Sequence, residues 1–200
     1  DLDFSSGAMV VNLGHNNSYI QRSYIDYINS GMGYVPSYLS TYNREKLSHR
    51  LIDISKLDNG KVFYTNAGGD ANEIACFLAK EYNHYSLNKK KSRIISFDKS
   101  FHGGSTIGAS LLSGDSRSIE KRKFYNIPME PIMNNPKLED NGESSLKQIT
   151  KLIKDNKDIG TIVIEGSSGS AGCILYPPKY LKKLETLCRE YNILIICDEV

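Results

Sequence analysis

The sequence predicts an α/β fold, a mainly parallel β-sheet with helices on both faces. Three observations lead to this prediction. Short apolar segments such as Arg93–Phe97 and Thr161–Ile164 alternate with longer segments in which apolar residues recur at helical spacing. These strand segments are continuously apolar, as in parallel sheets that are covered on both faces. The apolar segment Ile193–Cys197 ends in Asp198 and Glu199, and ligands of open α/β sheets bind beyond the carboxyl ends of the strands.

The first forty residues are rich in Gly, Asn, Ser and Tyr. They predict an irregular segment with one helix near Tyr19–Asn29. Helical spacing after Arg44 predicts an amphipathic helix that ends at Asp58-Asn59-Gly60. We therefore expect residues 1–40 to belong to a smaller domain. Residues 41–200 are expected to form a large domain that is incomplete at its C-terminus.

The rest of the chain predicts strands and helices in alternation. The predicted strands are Lys61–Thr65, Arg93–Phe97, Thr161–Ile164 and Ile193–Cys197, with one short strand within residues 115–142. The predicted helices are Ala71–Tyr85, one within Phe101–Gly114, one around Leu146–Ile153 and Tyr180–Tyr191. In the first of these helices, the side chains expected to be buried are Ile74, Cys76, Phe77 and Leu78.

Composition favours a small-molecule ligand. The 25 basic and 23 acidic residues give a net charge of +2, which creates no long-range field that would attract nucleic acid or an anionic membrane. No apolar run reaches the roughly 18 residues of a membrane span. The cysteines lie mostly inside apolar runs and lack the spacing of metal ligands, so buried free thiols in a reducing compartment, the cytoplasm, are expected for Cys76, Cys173, Cys188 and Cys197.

The loop Asn66-Ala67-Gly68-Gly69-Asp70 precedes a predicted helix. Two consecutive glycines allow close approach of a ligand to the backbone, and free N–H groups at a helix start favour an anion such as a phosphate. The alternative interpretation is a plain tight turn in which Asp70 interacts with the helix dipole.

Two further clusters follow predicted strands. In Phe101-His102-Gly103-Gly104 the aromatic ring can stack on a flat ligand, and His102 can donate a hydrogen bond or transfer a proton. The alternative is a core phenylalanine and a turn histidine. Glu165 follows a buried strand, where a carboxylate needs a partner. Together with Asp198, these clusters predict a site for a ligand that has a planar, cationic ring and a phosphate group.

Successive blocks of the chain resemble the class III (omega-amino acid type) aminotransferases. The blocks are Phe63–Glu73, Phe101–Gly103, Glu165 with its glycine-rich turn, Leu194–Val200 and, near the start, Leu2–Gly7 and Asn12–His15. They occur in the family's order over nearly the whole chain. The resemblance implies a homodimeric pyridoxal-phosphate enzyme of fold type I. Such an enzyme moves an amino group from an amine or amino acid donor to a 2-oxo acid or aldehyde acceptor.

The resemblance also implies roles around the cofactor ring. Asp198 would hold the protonated pyridine nitrogen, because a nearby carboxylate stabilises the cationic form. Phe101 would stack on one face of the ring, and Val200 would press on the other.

Four more residues would lie around the cofactor. The backbone at Gly68 and Gly69 would hold the phosphate. Glu165 would lie near the ring edge and orient Asp198 or the cofactor hydroxyl. His102 would lie behind the residues that touch the cofactor.

The chain departs from the family at several positions. Gly69 replaces the usual Ser or Thr, Asp70 a Glu and Gly166 a Pro, while Gly104-Ser105 replaces a basic residue that some members carry. Ser170 stands where the ornithine and acetylornithine branches have a second Glu, which disfavours those two substrates. The family's cofactor-binding lysine lies beyond the Asp-Glu-Val block. No lysine of this chain is therefore assigned that role, and the sequence is expected to be a piece of a larger protein.

Three other functions were weighed against this one. A P-loop nucleotide hydrolase requires Lys-Ser or Lys-Thr after its glycines, and neither glycine cluster has it. A related class III aminomutase or racemase would keep the same site residues. A non-catalytic scaffold subunit is the third alternative, suggested by the departures at Gly69, Asp70 and Gly166.

Overall fold

The computed structural model describes residues 3–36, 38–87, 90–104, 107–124 and 132–200. The predictions that involve Leu2, Ser105 and residues 125–131 lie outside these ranges. The chain divides into two compact units, Asp1–Phe63 and Tyr64–Val200. The predicted domain boundary at residue 40 stays a prediction.

The first unit contains three helices, α1 (Ser6–Met9), α2 (Ser18–Asn29) and α3 (Tyr42–Ser55). Side chains cap the two longer helices: Asn17 accepts from two N–H groups at the start of α2, and Thr41 accepts from Arg44 at the start of α3. Lys56 ends α3 in the left-handed conformation, with φ of 53°. Both predicted helices of this region are confirmed.

The second unit contains a four-stranded sheet. The strands of this unit are β1 (Arg93–Phe97), β2 (Ile132–Met133), β3 (Ile159–Glu165), β4 (Ser167–Ser168), β5 (Ile174–Leu175) and β6 (Leu194–Asp198). In the four-stranded sheet the order is β2-β1-β3-β6, and every neighbouring pair is parallel. Strands β4 and β5 form a separate antiparallel pair. The helices are α4 (Gly68–Glu81), α5 (Ile107–Leu112), α6 (Ser116–Phe124), α7 (Glu143–Asp155) and α8 (Pro178–Tyr191), with a π-helix at Tyr82–Ser86.

Helices cover both faces of this sheet. On one face, α7 and α8 pack against the strands through side chains that include Ile149, Tyr180 and Ile162. On the other face, Cys76 of α4 and Leu112 of α5 pack in a second cluster with side chains of β1 and β3. Alternate residues of each strand point to opposite faces, which explains why the strands are apolar throughout. The predicted α/β fold with a parallel, helix-covered sheet is confirmed.

Two local predictions were wrong, and one helix was missed. Lys61–Thr65 forms no strand in the described chain, and Phe63 and Tyr64 are exposed. Two large apolar side chains that do not pack contribute little to stabilising a strand. Phe77 and Leu78 are also exposed. Residues advance about 100° around a helix, so the face of α4 that buries Asn72 and Cys76 leaves these two outside. Helix α6 was not predicted.

The four cysteines are free thiols, and Cys76 and Cys188 are buried, as predicted. Cys173 and Cys197 are exposed, so the predicted burial was wrong for these two. None of the helices in the described ranges combines the length and apolarity that a membrane span requires. Within the same ranges, no group of three His, Cys, Asp or Glu side chains is arranged to hold a metal ion.

Candidate active site

The polar clusters meet at the carboxyl edge of the parallel sheet. Strands β3 and β6 pair in register, so that Glu165 lies opposite Asp198. After β1 the chain turns at Lys99, with φ of 58°, and Ser100 Oγ donates to the carbonyl of Phe97 at 2.7 Å. This turn leads the chain back over the sheet edge at His102.

Asp198 lies at the centre of the site, and its side chain is only 6% exposed. Its Oδ2 accepts hydrogen bonds from Asn72 Nδ2 at 2.8 Å and from His102 Nδ1 at 2.9 Å. Its Oδ1 accepts from the N–H of Val200 at 3.3 Å. Burial acts to raise the pKa of Asp198, but the hydrogen bonds from His102, Asn72 and Val200 outweigh it and hold the pKa below the usual value of 3.8. Asp198 is therefore an anion at neutral pH.

His102 is 1% exposed and is fixed on two sides. Its backbone N–H donates to Ser113 Oγ at 2.8 Å, and its Nδ1 faces Asp198. The other ring nitrogen, Nε2, is buried and makes no hydrogen bond to a described residue. Because the carboxylate of Asp198 can only accept, Nδ1 of His102 carries the hydrogen of their bond.

In the described part of the chain, the side chain that can bring a positive charge to Asp198 is His102, when it is protonated. No Lys or Arg there pairs with Asp198, and its other hydrogen-bond donors are the amide of Asn72 and the backbone N–H of Val200. A buried anion that no Lys or Arg neutralises can bind a cation. The site thus fits a ligand that brings a positive charge to Asp198.

The start of α4 is open to an anion. Ala67, the residue before α4, has an extended backbone and supplies no side-chain cap to the first N–H groups of the helix. Gly68 lies close to Val200, because a Cβ atom on Gly68 would be 3.3 Å from Val200 Cγ2. The uncapped helix start and the end of β6 are therefore direct neighbours, as one ligand-binding site requires.

A second close approach joins the α4 loop to the loop after β1. Gly103 has φ of +122°, and a Cβ atom there would lie 2.7 Å from Gly69 Cα. The lack of side chains at both glycines lets the two backbones touch. This contact fixes the position of the loop that carries Phe101 and His102 relative to α4.

Phe101 and Glu165 lie at the open side of the site. Phe101 is 41% exposed, so its ring can contact a ligand. Glu165 is half-buried and accepts a hydrogen bond from Ser168 Oγ at 2.6 Å. It makes no hydrogen bond to Asp198 within the described residues. The expectation that it orients Asp198 is corrected, because His102 and Asn72 do so; its contact with a cofactor hydroxyl stays a prediction.

The sequence analysis assigned no role to Asn72 or Ser113. Asn72 donates to both Asp198 and the carbonyl of His102, and Ser113 holds the backbone of His102. Asn72 lies four residues before Cys76, on the helical face that the sequence predicts to be buried. A polar residue on such a face requires a hydrogen-bond partner, so the sequence could have indicated that Asn72 has one. Nothing in the pattern around Ser113 indicated its contact.

Comparisons with known proteins show the family to which this chain is similar. Residues 1–200 match the family model described as Aminotransferase class-III. The chain is 30% identical to adenosylmethionine-8-amino-7-oxononanoate aminotransferase from Staphylococcus aureus, over 94% of this chain and 44% of that protein. It is 33% identical to acetylornithine aminotransferase from Clostridium acetobutylicum, over 100% of this chain and 48% of that protein. The chain thus spans less than half the length of these curated relatives.

Solved structures show the same fold. An amine transaminase from an uncultivated Pseudomonas species, in its PLP-bound form, aligns with a TM-score of 0.86 and 22% identity over 100% of this chain and 48% of that one. The taurine:2-oxoglutarate aminotransferase from Bifidobacterium kashiwanohense, in complex with PLP and glutamate, aligns with a TM-score of 0.83 and 28% identity over 98% of this chain and 45% of that one.

Proposed function

Because this chain belongs to the class III aminotransferases, which use pyridoxal phosphate as cofactor, we propose that the protein moves an amino group from an amine or amino acid donor to a 2-oxo acid or aldehyde acceptor. The observation that carries this proposal is the buried anion Asp198, which hydrogen bonds from Asn72 and His102 hold beside the start of α4. The two features suit the two charged ends of one cofactor, a cationic ring nitrogen and an anionic phosphate.

Pyridoxal phosphate, when bound, supplies a conjugated ring that accepts electron density from the reacting carbon of the substrate. Asp198 would stabilise the protonated ring nitrogen and so keep the ring electron-withdrawing. The Asp198 carboxylate suits this role because its pKa lies below the usual value and no side-chain cation neutralises it within the described residues.

The remaining cofactor contacts come from backbone and apolar groups. The N–H groups at Gly68 and Gly69 would bind the phosphate at the positive end of the α4 dipole. Phe101 would stack on one ring face, and Val200, which is exposed and lies next to Gly68, would contact the other. These groups bind and orient the ring, and they exclude water from its faces.

Two side chains complete the proposed site. Ser168 Oγ donates to Oε2 of Glu165, and the carboxylate has further lone pairs, so Glu165 could accept a hydrogen bond near the substrate side of the ring. We propose it as a catalytic residue together with Asp198. His102 would act through Asp198, because its Nδ1 is bonded to that carboxylate and its Nε2 is buried.

We also propose that the complete protein is a homodimer in the cytoplasm. The four free thiols support a reducing compartment. Several large apolar side chains of α2 are exposed in the described chain, a pattern that is typical of surfaces covered in an assembly: Tyr19, Ile20, Tyr24, Ile25 and Ile28. Sedimentation equilibrium of the complete protein tests the dimer.

The absorbance spectrum of the complete protein with pyridoxal phosphate tests the proposed reaction. We expect a visible band of bound cofactor that an amine donor removes and a 2-oxo acid restores. Product analysis would show the oxo form of the donor, whereas an aminomutase or a racemase returns an amine. A protein that binds no cofactor at saturating pyridoxal phosphate would contradict the proposal and favour a scaffold subunit.

A further inference from the structure

We propose that Asn72 is a positioning residue that holds Asp198 and determines which of its carboxylate oxygens binds the ring nitrogen of the cofactor. This inference rests on the proposed function. It concerns a residue that lies 126 positions away in sequence from its partner and faces the core side of α4.

The contacts of Asn72 are unambiguous. Its side-chain amide nitrogen lies 2.8 Å from Asp198 Oδ2 and 3.0 Å from the carbonyl oxygen of His102. Both neighbours accept hydrogen bonds, and an amide NH₂ group has two hydrogens to donate. The nitrogen end must therefore face them, and both of its hydrogens are used. Asn72 is 7% exposed, so water does not compete strongly for these bonds.

The two oxygens of Asp198 differ in what they can still accept. Oδ2 receives two side-chain donors, Asn72 and His102. Oδ1 receives only the N–H of Val200, at the longer distance of 3.3 Å. A carboxylate oxygen has two lone pairs, so Oδ2 is fully occupied and Oδ1 retains accepting capacity. Asn72 and His102 together make Oδ1 the oxygen that can accept from a cationic N–H.

The place of Asn72 on α4 links both ends of the proposed ligand site. Gly68 and Asn72 lie four residues apart in one helix, which corresponds to about 6 Å along the helix axis. A single helical turn therefore carries the start that would bind the phosphate and the amide that holds Asp198. The spacing between the anion site and the ring-nitrogen site is built into one rigid element.

Asn72 also leaves the charge of Asp198 intact, because an amide donates hydrogen bonds without adding a positive charge. A Lys or Arg at this place would neutralise the carboxylate and compete with the ring nitrogen. Hydrogen bonds to a carboxylate stabilise its ionised form. Loss of the Asn72 bond should therefore favour the neutral pair, in which the proton moves from the ring nitrogen to Asp198.

Two substitutions in the complete protein test this role. Asn72→Leu removes both donors and keeps a similar side-chain volume, and Asn72→Ala removes donors and volume together. We expect both to weaken pyridoxal phosphate binding by about 10-fold or more, the effect of a lost hydrogen bond to a charged group. The ¹⁵N NMR signal of ring-labelled cofactor should shift from the protonated toward the neutral pyridine value in both variants.

A matched control is available on the continuation of the same helix. Asn83 is also fully buried and donates to a backbone carbonyl, that of Gly160 at 3.3 Å, but it does not contact Asp198. Asn83→Ala should lower stability and leave both the ¹⁵N signal and the dissociation constant of the cofactor unchanged.

Asp198→Asn, alone and combined with Asn72→Leu, distinguishes a failure of the role proposed for Asn72 from a failure of the proposed function. If Asn72 acts through Asp198, the double variant should bind cofactor within about 2-fold of Asp198→Asn, because coupled residues are not additive. The inference is overturned if both Asn72 variants match the parent in affinity and ¹⁵N signal while Asp198→Asn differs. If Asp198→Asn itself matches the parent, the proposed function fails, and the inference fails with it.

Discussion

At the scale of single residues, Asp198 shows how a buried charge is kept available. Its burial is unfavourable, and hydrogen bonds from Asn72, His102 and Val200 offset this cost. None of these donors is a Lys or Arg, so no permanent positive charge from them cancels the negative charge of Asp198. A salt bridge to Lys or Arg would also have stabilised the carboxylate, but it would have neutralised the charge that a cationic ring nitrogen requires.

Replacement of Asp198 by Asn tests the importance of that charge. Asp198→Asn preserves the shape of the side chain and removes the negative charge. We expect the half-reaction with an accepted amine donor to slow by about 100-fold, roughly 2.7 kcal/mol, because preorganised electrostatic stabilisation is lost. Stopped-flow absorbance of the complete protein measures this rate. Glu199→Gln, an exposed neighbour, is the control, and a parental rate in Asp198→Asn would make Asp198 only a structural end to its strand.

The lowered pKa of Asp198 predicts an acid-sensitive contribution to stability. The folded pKa lies below the unfolded value of about 3.8, so the contribution is fully present above that value. It is lost as the pH falls through the folded pKa. Urea unfolding of the parent and of Asp198→Asn from about pH 6 down to pH 3 should show a steeper acid loss in the parent. If the free energy of unfolding changed equally with pH in the parent and in Asp198→Asn, the pKa of Asp198 would be the same in the folded and unfolded states.

The sequence predicted some residues of the site and missed others, for a physical reason. Asp198, Glu165 and His102 follow strand segments, so their place at the sheet edge followed from topology alone. Asn72 and Ser113 lie within helical or loop segments, and their partners are chosen by how α4 and α5 pack on the sheet. Hydrogen bonds between distant segments depend on that packing, which no local pattern contains.

At the scale of elements, close backbone contact holds the site together. The contact between Gly69 and Gly103 fastens the start of α4 to the loop after β1. Sequence patterns predicted β1, β3 and β6 because continuous apolar segments need two covered faces. They failed at Lys61–Thr65, because apolar residues in a row do not ensure that the side chains pack: Phe63 and Tyr64 remain exposed.

Replacement of Gly103 by Ala should break this contact. A methyl group at this φ of +122° would lie 2.7 Å from Gly69 Cα and 2.8 Å from Ala109 Cβ. We expect the free energy of unfolding to fall by about 2 to 4 kcal/mol, from backbone strain and overpacking together. Chemical denaturation of the complete protein measures it. Gly172→Ala is the matched control, because Gly172 has φ of +103° but open space around it; an equal loss in both variants would show that the contact with Gly69 contributes nothing.

At the scale of the whole molecule, every proposed cofactor contact lies within the unit Tyr64–Val200. The sheet of that unit has one packed apolar cluster on each face, and the site lies at the carboxyl edge of the sheet. The cofactor should therefore stabilise this unit through loops that the sheet already holds in place.

Addition of the cofactor should make this stabilisation visible as slower hydrogen exchange of backbone amides. At a concentration about 100-fold above its dissociation constant, pyridoxal phosphate should stabilise the complete protein by about 2.7 kcal/mol. Amide protection should rise in residues 66–72, 98–104 and 194–200, as measured by hydrogen exchange with mass spectrometry. Pyridoxal without its phosphate is the matched ligand, and it should protect residues 66–72 less. Protection that rises only outside these three segments would place the cofactor elsewhere.

The short connection between α8 and β6 limits how this region can change in length. Helix α8 ends at Tyr191 and is followed by Asn192, whose φ is 52°. The N–H of Ile193 bonds to the carbonyl of Cys188 at 2.8 Å, and β6 begins at the next residue, Leu194. Side chains of a strand alternate between faces, and a shift of one residue moves each of them to the place of its neighbour. One inserted residue here would put the thiol of Cys197 where the carboxylate of Asp198 stands, and one deleted residue would put the longer Glu199 there. This connection should therefore accept substitutions far more readily than insertions or deletions.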